Sequence, residues 1–268
     1  MRNLFILLVA ICCLGACAPQ TDNHVIINKT AKVRLDSTLQ AQVDSGYVAG
    51  VSALIFEKNK EVYFNAFGMA DVENKVPMDR NTIVRIYSMT KPITGTALMS
   101  LYEKGAFQLD DPLSKYLPEF TNVKVFSGYD AKGNMILVDP RRPITIRDIT
   151  RHTAGFVNNQ PDTTTQLGML VKKTNPMDFN NTLTQMCEKL ASLPLVFHPG
   201  EQWSYGVSVD VQAALVERLS KKPFDQYIQE TILDPLKMNT THYVVAESDL
   251  QRFAAVYRQG DDGKLSRV

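Results

Sequence analysis

A chain of 268 residues, 44% hydrophobic and 21% charged, has enough apolar side chain for a sizeable core and the length of one large domain or two small ones. Its 29 Lys and Arg against 28 Asp and Glu leave a net charge of +1 with no basic run, which argues against a nucleic-acid partner or a polybasic membrane surface. Four cysteines suggest disulfides until they are placed: Cys12, Cys13 and Cys17 crowd the N-terminus, and Cys187 stands alone.

Arg2 precedes an uncharged apolar run, Leu4 to Leu14, long enough for the core of a signal peptide and too short for a membrane-spanning helix. The run closes on Leu14-Gly15-Ala16-Cys17, which resembles the lipobox of bacterial lipoproteins. That resemblance implies a signal segment over 1–17 and a lipid on Cys17; an ordinary signal peptide with incidental cysteines is the alternative. With a lipobox, Cys12 and Cys13 leave with the peptide and no disulfide framework remains. The protein would then be an exported lipoprotein facing the periplasm, touching membrane only through its anchor. Ala18, where aspartate would signal inner-membrane retention, favours the outer membrane. Residues 18–31 read as a polar tether and 32–268 as the folded domain.

Val33, Leu35, Leu39 and Val43 suggest a first helix. Residues 51–56 and 61–67 read as two strands joined across the polar 57–60 into a hairpin. A helix is expected from about Ser88 to Lys104, stopped by Gly105. From Asp110 to Leu236 the proline-punctuated chain reads as helices and loops, with a clear helix over 210–219 whose face is Val211, Ala214, Leu215 and Leu219. A hairpin followed by a long helical region points to an α+β or α/β domain with a helical insertion.

Ser88-Met-Thr-Lys91 fits the S-x-x-K pattern of serine acyl-transfer enzymes. At i and i+3 a hydroxyl and an amine share one helix face, and a serine at a helix start points its own N–H toward a developing oxyanion. A lysine so placed can take the serine proton once its neighbours disfavour its charged form. Alone the motif carries little, since about one such pair per chain arises by chance at this composition. No G-x-S-x-G elbow is present, Ser127 sitting in Phe-Ser-Gly-Tyr, so an α/β-hydrolase is not supported.

The surrounding blocks carry more. Arg85 to Gly105, continuing into Leu109-Asp-Asp-Pro-Leu, is similar to the nucleophile helix and following loop of the class C β-lactamase-like superfamily. Residues 144–155, ending His152-Thr-Ala-Gly155, resemble that group's His-Thr-Ser-Gly segment, and 197–206 resemble the segment bearing its catalytic tyrosine. The superfamily includes class C β-lactamases, D-alanyl-D-alanine carboxypeptidases and family VIII carboxylesterases. The resemblance spans roughly 33–268 and implies a β-lactamase/transpeptidase-like fold, an antiparallel sheet flanked by helices with a large helical insertion. It also implies Ser88 as nucleophile, Lys91 as its base on the same helix and Tyr205 as second base and acid; His152 belongs to the turn in the group's pattern and reads as structural. A free tyrosine titrates near about 10, so an adjacent ammonium such as Lys91 is what would make Tyr205 a useful base. His24, His198 and His242 show no ligand spacing, so neither metal nor cofactor is indicated.

Two departures bear on substrate. Where β-lactamases and peptidases of the group have Tyr-x-Asn, this chain has Tyr205-Gly-Val207; losing an amide grip for apolar wall favours esters over amides. The Trp203-Ser-Tyr205 block looks closest to the esterase branch. The second departure is the absence after Tyr205 of the group's third motif, a Lys, His or Trp before x-Gly, on a strand that supplies the second oxyanion donor. Removing one such donor costs about 10²–10³ in rate. The expectation is a partial member whose C-terminal sheet strands are missing, leaving a two-stranded sheet, with residues 257–264 as the turn into the absent region. The leading expectation is an acyl-serine carboxylesterase acting on a small-molecule ester. A β-lactamase or D,D-peptidase acting on β-lactam or peptidoglycan-like substrates is the alternative, and a non-catalytic envelope-binding homologue the third; oligomeric state is not legible.

Overall fold

A computed structural model describes residues 27–157 and 161–268; Cys17, the expected signal segment and most of the expected tether lie outside the described residues. The chain divides into two compact units, Met1–Arg85 with Val245–Val268, and Ile86–Val244.

In the first unit, helix α1 (Lys29–Asp44) begins ahead of its first apolar residue because Asn28 caps it, its Oδ1 accepting from the Ala31 N–H at 2.9 Å. Lys29, Thr30 and Ala31, expected as tether, are therefore helical. Strands β1 (Gly50–Glu57) and β2 (Lys60–Asp71) pair antiparallel as expected, with Leu54 opposite Phe64. Lys58 and Asn59 both take positive φ, the backbone a two-residue hairpin turn demands. The sheet gains a third member not read from the sequence, β3 (Val76–Pro77), in the order β1-β2-β3. Two residues with a proline at the second carry no strand pattern; only pairing to β2 reveals them.

Asp36 ties α1 to β2, accepting from the Tyr63 hydroxyl at 2.7 Å and the Asn65 amide at 2.9 Å. Burial, and then the Asp36 carboxylate, push the Tyr63 hydroxyl up to about 12, so it remains a donor. Residues 257–264, expected as a turn, form one strand and the turn of a hairpin, Tyr257–Gln259 with Leu265–Arg267. Arg267 bridges Asp71 and Glu73 at 3.0 and 3.2 Å.

In the second unit a 3-10 turn, Tyr87–Met89, precedes helix α2 (Thr90–Glu103), so the single helix expected from Ser88 is in fact a tight turn plus a helix. The stretch expected as helices and loops contains a hairpin, β4 (Val125–Tyr129) and β5 (Met135–Val138). Its strands are too short, and too interrupted by Gly128, for alternation to register. Helices α3 (Ile146–Arg151), α4 (Gln166–Thr174), α5 (Leu183–Ala191), α6 (Ser208–Ser220) and α7 (Phe224–Ile228) follow.

Leu98 from α2, Ile146 and Ile149 from α3, and Val211 and Leu215 from α6 meet in one core. Of the apolar face expected for α6, Val211, Ala214 and Leu215 are buried and Leu219 is half-buried against the core; Ala213 and Val216 are buried as well. Cys187 is fully buried and unpaired there, its thiol pushed up to about 12 by burial, which makes it a packing residue.

Candidate active site

Ser88 is the second residue of the 3-10 turn, among the positions whose N–H groups a helix start leaves without an intrahelical acceptor. Tyr87 enters that turn with φ +42, a left-handed conformation that costs a non-glycine residue about 1 kcal/mol. Lys91 and Pro92 lie in the first turn of α2, where proline needs no hydrogen bond to donate. Over this start the Lys91 Nζ donates to the Ser88 Oγ at 3.0 Å.

Tyr205 arrives from the segment before α6 and completes the group. Its hydroxyl lies 2.8 Å from the Ser88 Oγ, and the Lys91 Nζ sits 4.8 Å from its ring centre. Lys91 first, and then the hydrogen bond with Ser88, hold the phenol below its ordinary range. The structure thus brings together the three residues singled out in the sequence, all within the second unit.

What aims Tyr205 is less local. Thr145 and Asp148 close a reciprocal capping box at the start of α3. Asp148 also takes a bidentate pair from Arg142, at 2.5 and 2.9 Å, and the Thr153 hydroxyl at 3.0 Å. Burial opposes the charge of Asp148, but these donors outweigh it and the carboxyl is lowered. The Arg142 guanidinium leaves Gly200, at φ +89, no space for a Cβ: one would stand 2.2 Å from its Nη2.

From this frame Thr153 O accepts the Gly200 N–H at 2.8 Å and His152 O the Ser204 N–H at 2.9 Å. Buried Gln212 on α6 donates to Ile149 O at 2.8 Å, tying α6 to α3. His152, left-handed at φ +58 where α3 ends, stacks on Tyr205 with ring centres 5.2 Å apart and planes at 17°. Its Nδ1 accepts the Gly206 N–H at 3.4 Å.

His152, expected to be structural in its turn, lies with its ring on the tyrosine, which no sequence pattern shows. Nor does the sequence single out Asp210, five residues beyond Tyr205, whose carboxyl burial raises while a backbone hydrogen bond and then Lys91 pull it back. A half-buried acid near an S-x-x-K lysine is the signal, and only the fold shows that burial. Val207 is 3% exposed and belongs to the core, so it withholds an amide from the site without adding apolar wall, a correction to its expected role. Apolar surface comes instead from the exposed Tyr87 and Met89 beside Ser88, and from Trp203, whose ring centre is 6.4 Å from that of Tyr205.

The family model described as Beta-lactamase matches residues 35–267, and the chain belongs to that family. The chain is 31% identical to Esterase EstB of Burkholderia gladioli, covering 85% of this chain and 55% of that protein. Among solved structures, EstCE1, "a hydrolase with promiscuous acyltransferase activity", aligns with a TM-score of 0.76 at 28% identity, over 91% of this chain and 60% of that one. Unliganded simvastatin synthase (LovD) of Aspergillus terreus aligns with a TM-score of 0.70 at 26% identity, over 88% and 59%. The fold is therefore β-lactamase/transpeptidase-like, as expected. The chain spans about half the length of the curated relatives it matches.

Proposed function

We propose that the protein is a serine acyl hydrolase of carboxylesterase type, working through an acyl-serine intermediate. The observation that carries this is the position of the Ser88 Oγ, within hydrogen-bond reach of both the Tyr205 hydroxyl and the Lys91 ammonium, at 2.8 and 3.0 Å. With Lys91 favouring the phenolate, Tyr205 takes the Ser88 proton as Oγ attacks the ester carbonyl carbon. The Ser88 N–H faces the developing oxyanion. Tyr205 then returns the proton to the departing alkoxide, which leaves as the alcohol. In the second half a water gives its proton to Tyr205, attacks the acyl carbon, and releases the acid as Oγ recovers a proton. An alcohol in the place of that water would make the same steps an acyl transfer, the activity printed for EstCE1 alongside hydrolysis.

Lipophilic small-molecule esters fit best. Tyr87, Met89 and Trp203 offer exposed apolar surface around Ser88, and Val207 offers no amide to grip a peptide or β-lactam side chain. The Leu14-Gly-Ala-Cys17 ending supports export and lipidation at Cys17, with the domain facing the periplasm. Substitution of Cys17 by Ala should abolish incorporation of labelled palmitate in cells; undiminished incorporation would refute the anchor.

The catalytic proposal is tested by adding a fluorophosphonate to the folded protein and measuring p-nitrophenyl ester turnover. A phosphonyl adduct on Ser88 with ester hydrolysis supports it. An unlabelled Ser88 in folded protein refutes it. Rapid nitrocefin turnover with weak ester hydrolysis would move the substrate class to β-lactams.

A further inference from the structure

Among the side chains around Ser88, one makes two contacts with the Tyr205 segment that catalysis as written above does not use. Its backbone and ring bracket the tyrosine: His152 O accepts from the residue before Tyr205, and His152 Nδ1 from the residue after it, at 2.9 and 3.4 Å. Between those two anchors the imidazole lies nearly parallel to the phenol, 5.2 Å away, with Trp203 on its other contact at 6.1 Å.

We propose that His152 is the positioning residue for Tyr205, its neutral imidazole holding the phenol oxygen on Ser88 by accepting from Gly206 and stacking beneath the ring. The proposal rests on the acyl-serine reading and deepens it. A histidine whose Nδ1 accepts a backbone N–H must be neutral and carry its proton on Nε2, because a protonated Nδ1 would face a donor with another donor. Burial, and then the Lys91 ammonium, oppose a charge on the ring and keep it in that form near neutrality.

The arrangement also accounts for the backbone. A left-handed residue is needed where α3 ends, and histidine is among the residues that tolerate it while bringing a flat ring and an acceptor to the same point. Aim matters here because Tyr205 serves both proton transfers. A misplacement of about 1 Å in a catalytic group costs on the order of 10²-fold in rate.

Two variants separate positioning from folding, since Asn and Gly both adopt the left-handed backbone at this position. His152→Asn keeps an acceptor and removes the ring; His152→Gly removes both. With p-nitrophenyl butyrate the expected result is graded: about a tenfold loss of kcat in H152N and about a hundredfold loss in H152G. KM should stay within about twofold, and fluorophosphonate labelling of Ser88 should slow in the same order. Thermal midpoints should not follow that order, because each variant retains the backbone contacts of residue 152. A wild type that labels and turns over, with both variants at its kcat or losing rate only in step with their folded fraction, would overturn the positioning role and leave the acyl-serine reading intact. A folded wild type that neither labels nor turns over would overturn both.

Discussion

The two sides of the candidate site are built differently. Ser88 and Lys91 are set by local geometry: a turn and the first residues of α2 put them on one face, and their contact needs nothing beyond the two residues between them. Tyr205 lies in a segment without helix or strand of its own. Its aim depends on residues 53 to 63 positions away, His152 by ring and backbone, and Asp148 with Arg142 behind it. The lesson is that the nucleophile side should tolerate distant change, whereas the tyrosine side should be sensitive to mutations that touch neither substrate nor Ser88.

The largest expected effects break the site directly. Ser88→Ala removes the oxygen proposed to become acylated, so ester turnover should fall by at least about 10³-fold and fluorophosphonate labelling should vanish. Tyr205→Phe keeps ring and stacking but removes the proton carrier; kcat should drop about 10²–10⁴-fold with KM little changed. A Y205F rate within threefold of wild type would show that Lys91 alone suffices and that the tyrosine side is dispensable.

The next effect tests the frame. Asp148→Ala leaves Arg142, the Thr153 hydroxyl and the Thr145 N–H without their acceptor, and should cost about 3 kcal/mol in a urea unfolding titration. The folded protein that remains should show a lower kcat as the Tyr205 segment loosens. In the wild type the folded Asp148 pKa is depressed, so its stabilisation is present above the unfolded carboxylate pKa of about 3.9 and is lost as pH falls through the lower folded value. Unchanged acid stability in D148A would contradict that assignment.

A smaller effect sharpens the electrostatics. Tyr205 must be ionised to act as base, so kcat/KM should rise with pH through a limb lying below about 10, where Lys91 and then Ser88 place it. The groups acting on that limb are Lys91 from α2, Ser88 from the turn before it and Asp210 from α6. Negative Asp210 opposes the phenolate, so Asp210→Asn should move the limb to lower pH; a move to higher pH would contradict the geometry. The smallest effect is a control remote from both sides: Asn28→Ala should cost about 1 kcal/mol through the α1 cap and leave kcat alone.

The same division explains what the sequence could reveal. Spacing fixed the Ser88–Lys91 contact, and the β1–β2 hairpin and the buried face of α6 followed from period and turn residues. Tyr205 is legible only through resemblance, because nothing in Trp-Ser-Tyr-Gly states that its hydroxyl meets a serine 117 positions earlier. The β4–β5 hairpin and β3 escaped since strands of two to five residues carry too little alternation to stand apart from loop. His152 escaped for a different reason: a ring's stacking partner is a property of the packed state, and a left-handed helix end reads equally well as simple termination.

The most direct test of the central claim is peptide mass mapping after fluorophosphonate treatment of the full chain, at neutral pH and in parallel with Y205F. Stoichiometric phosphonylation of Ser88 in wild type, slowed by two orders of magnitude or more in the variant, is the expected result. Folded wild-type protein with Ser88 unmodified, or an adduct carried by another serine, would contradict it.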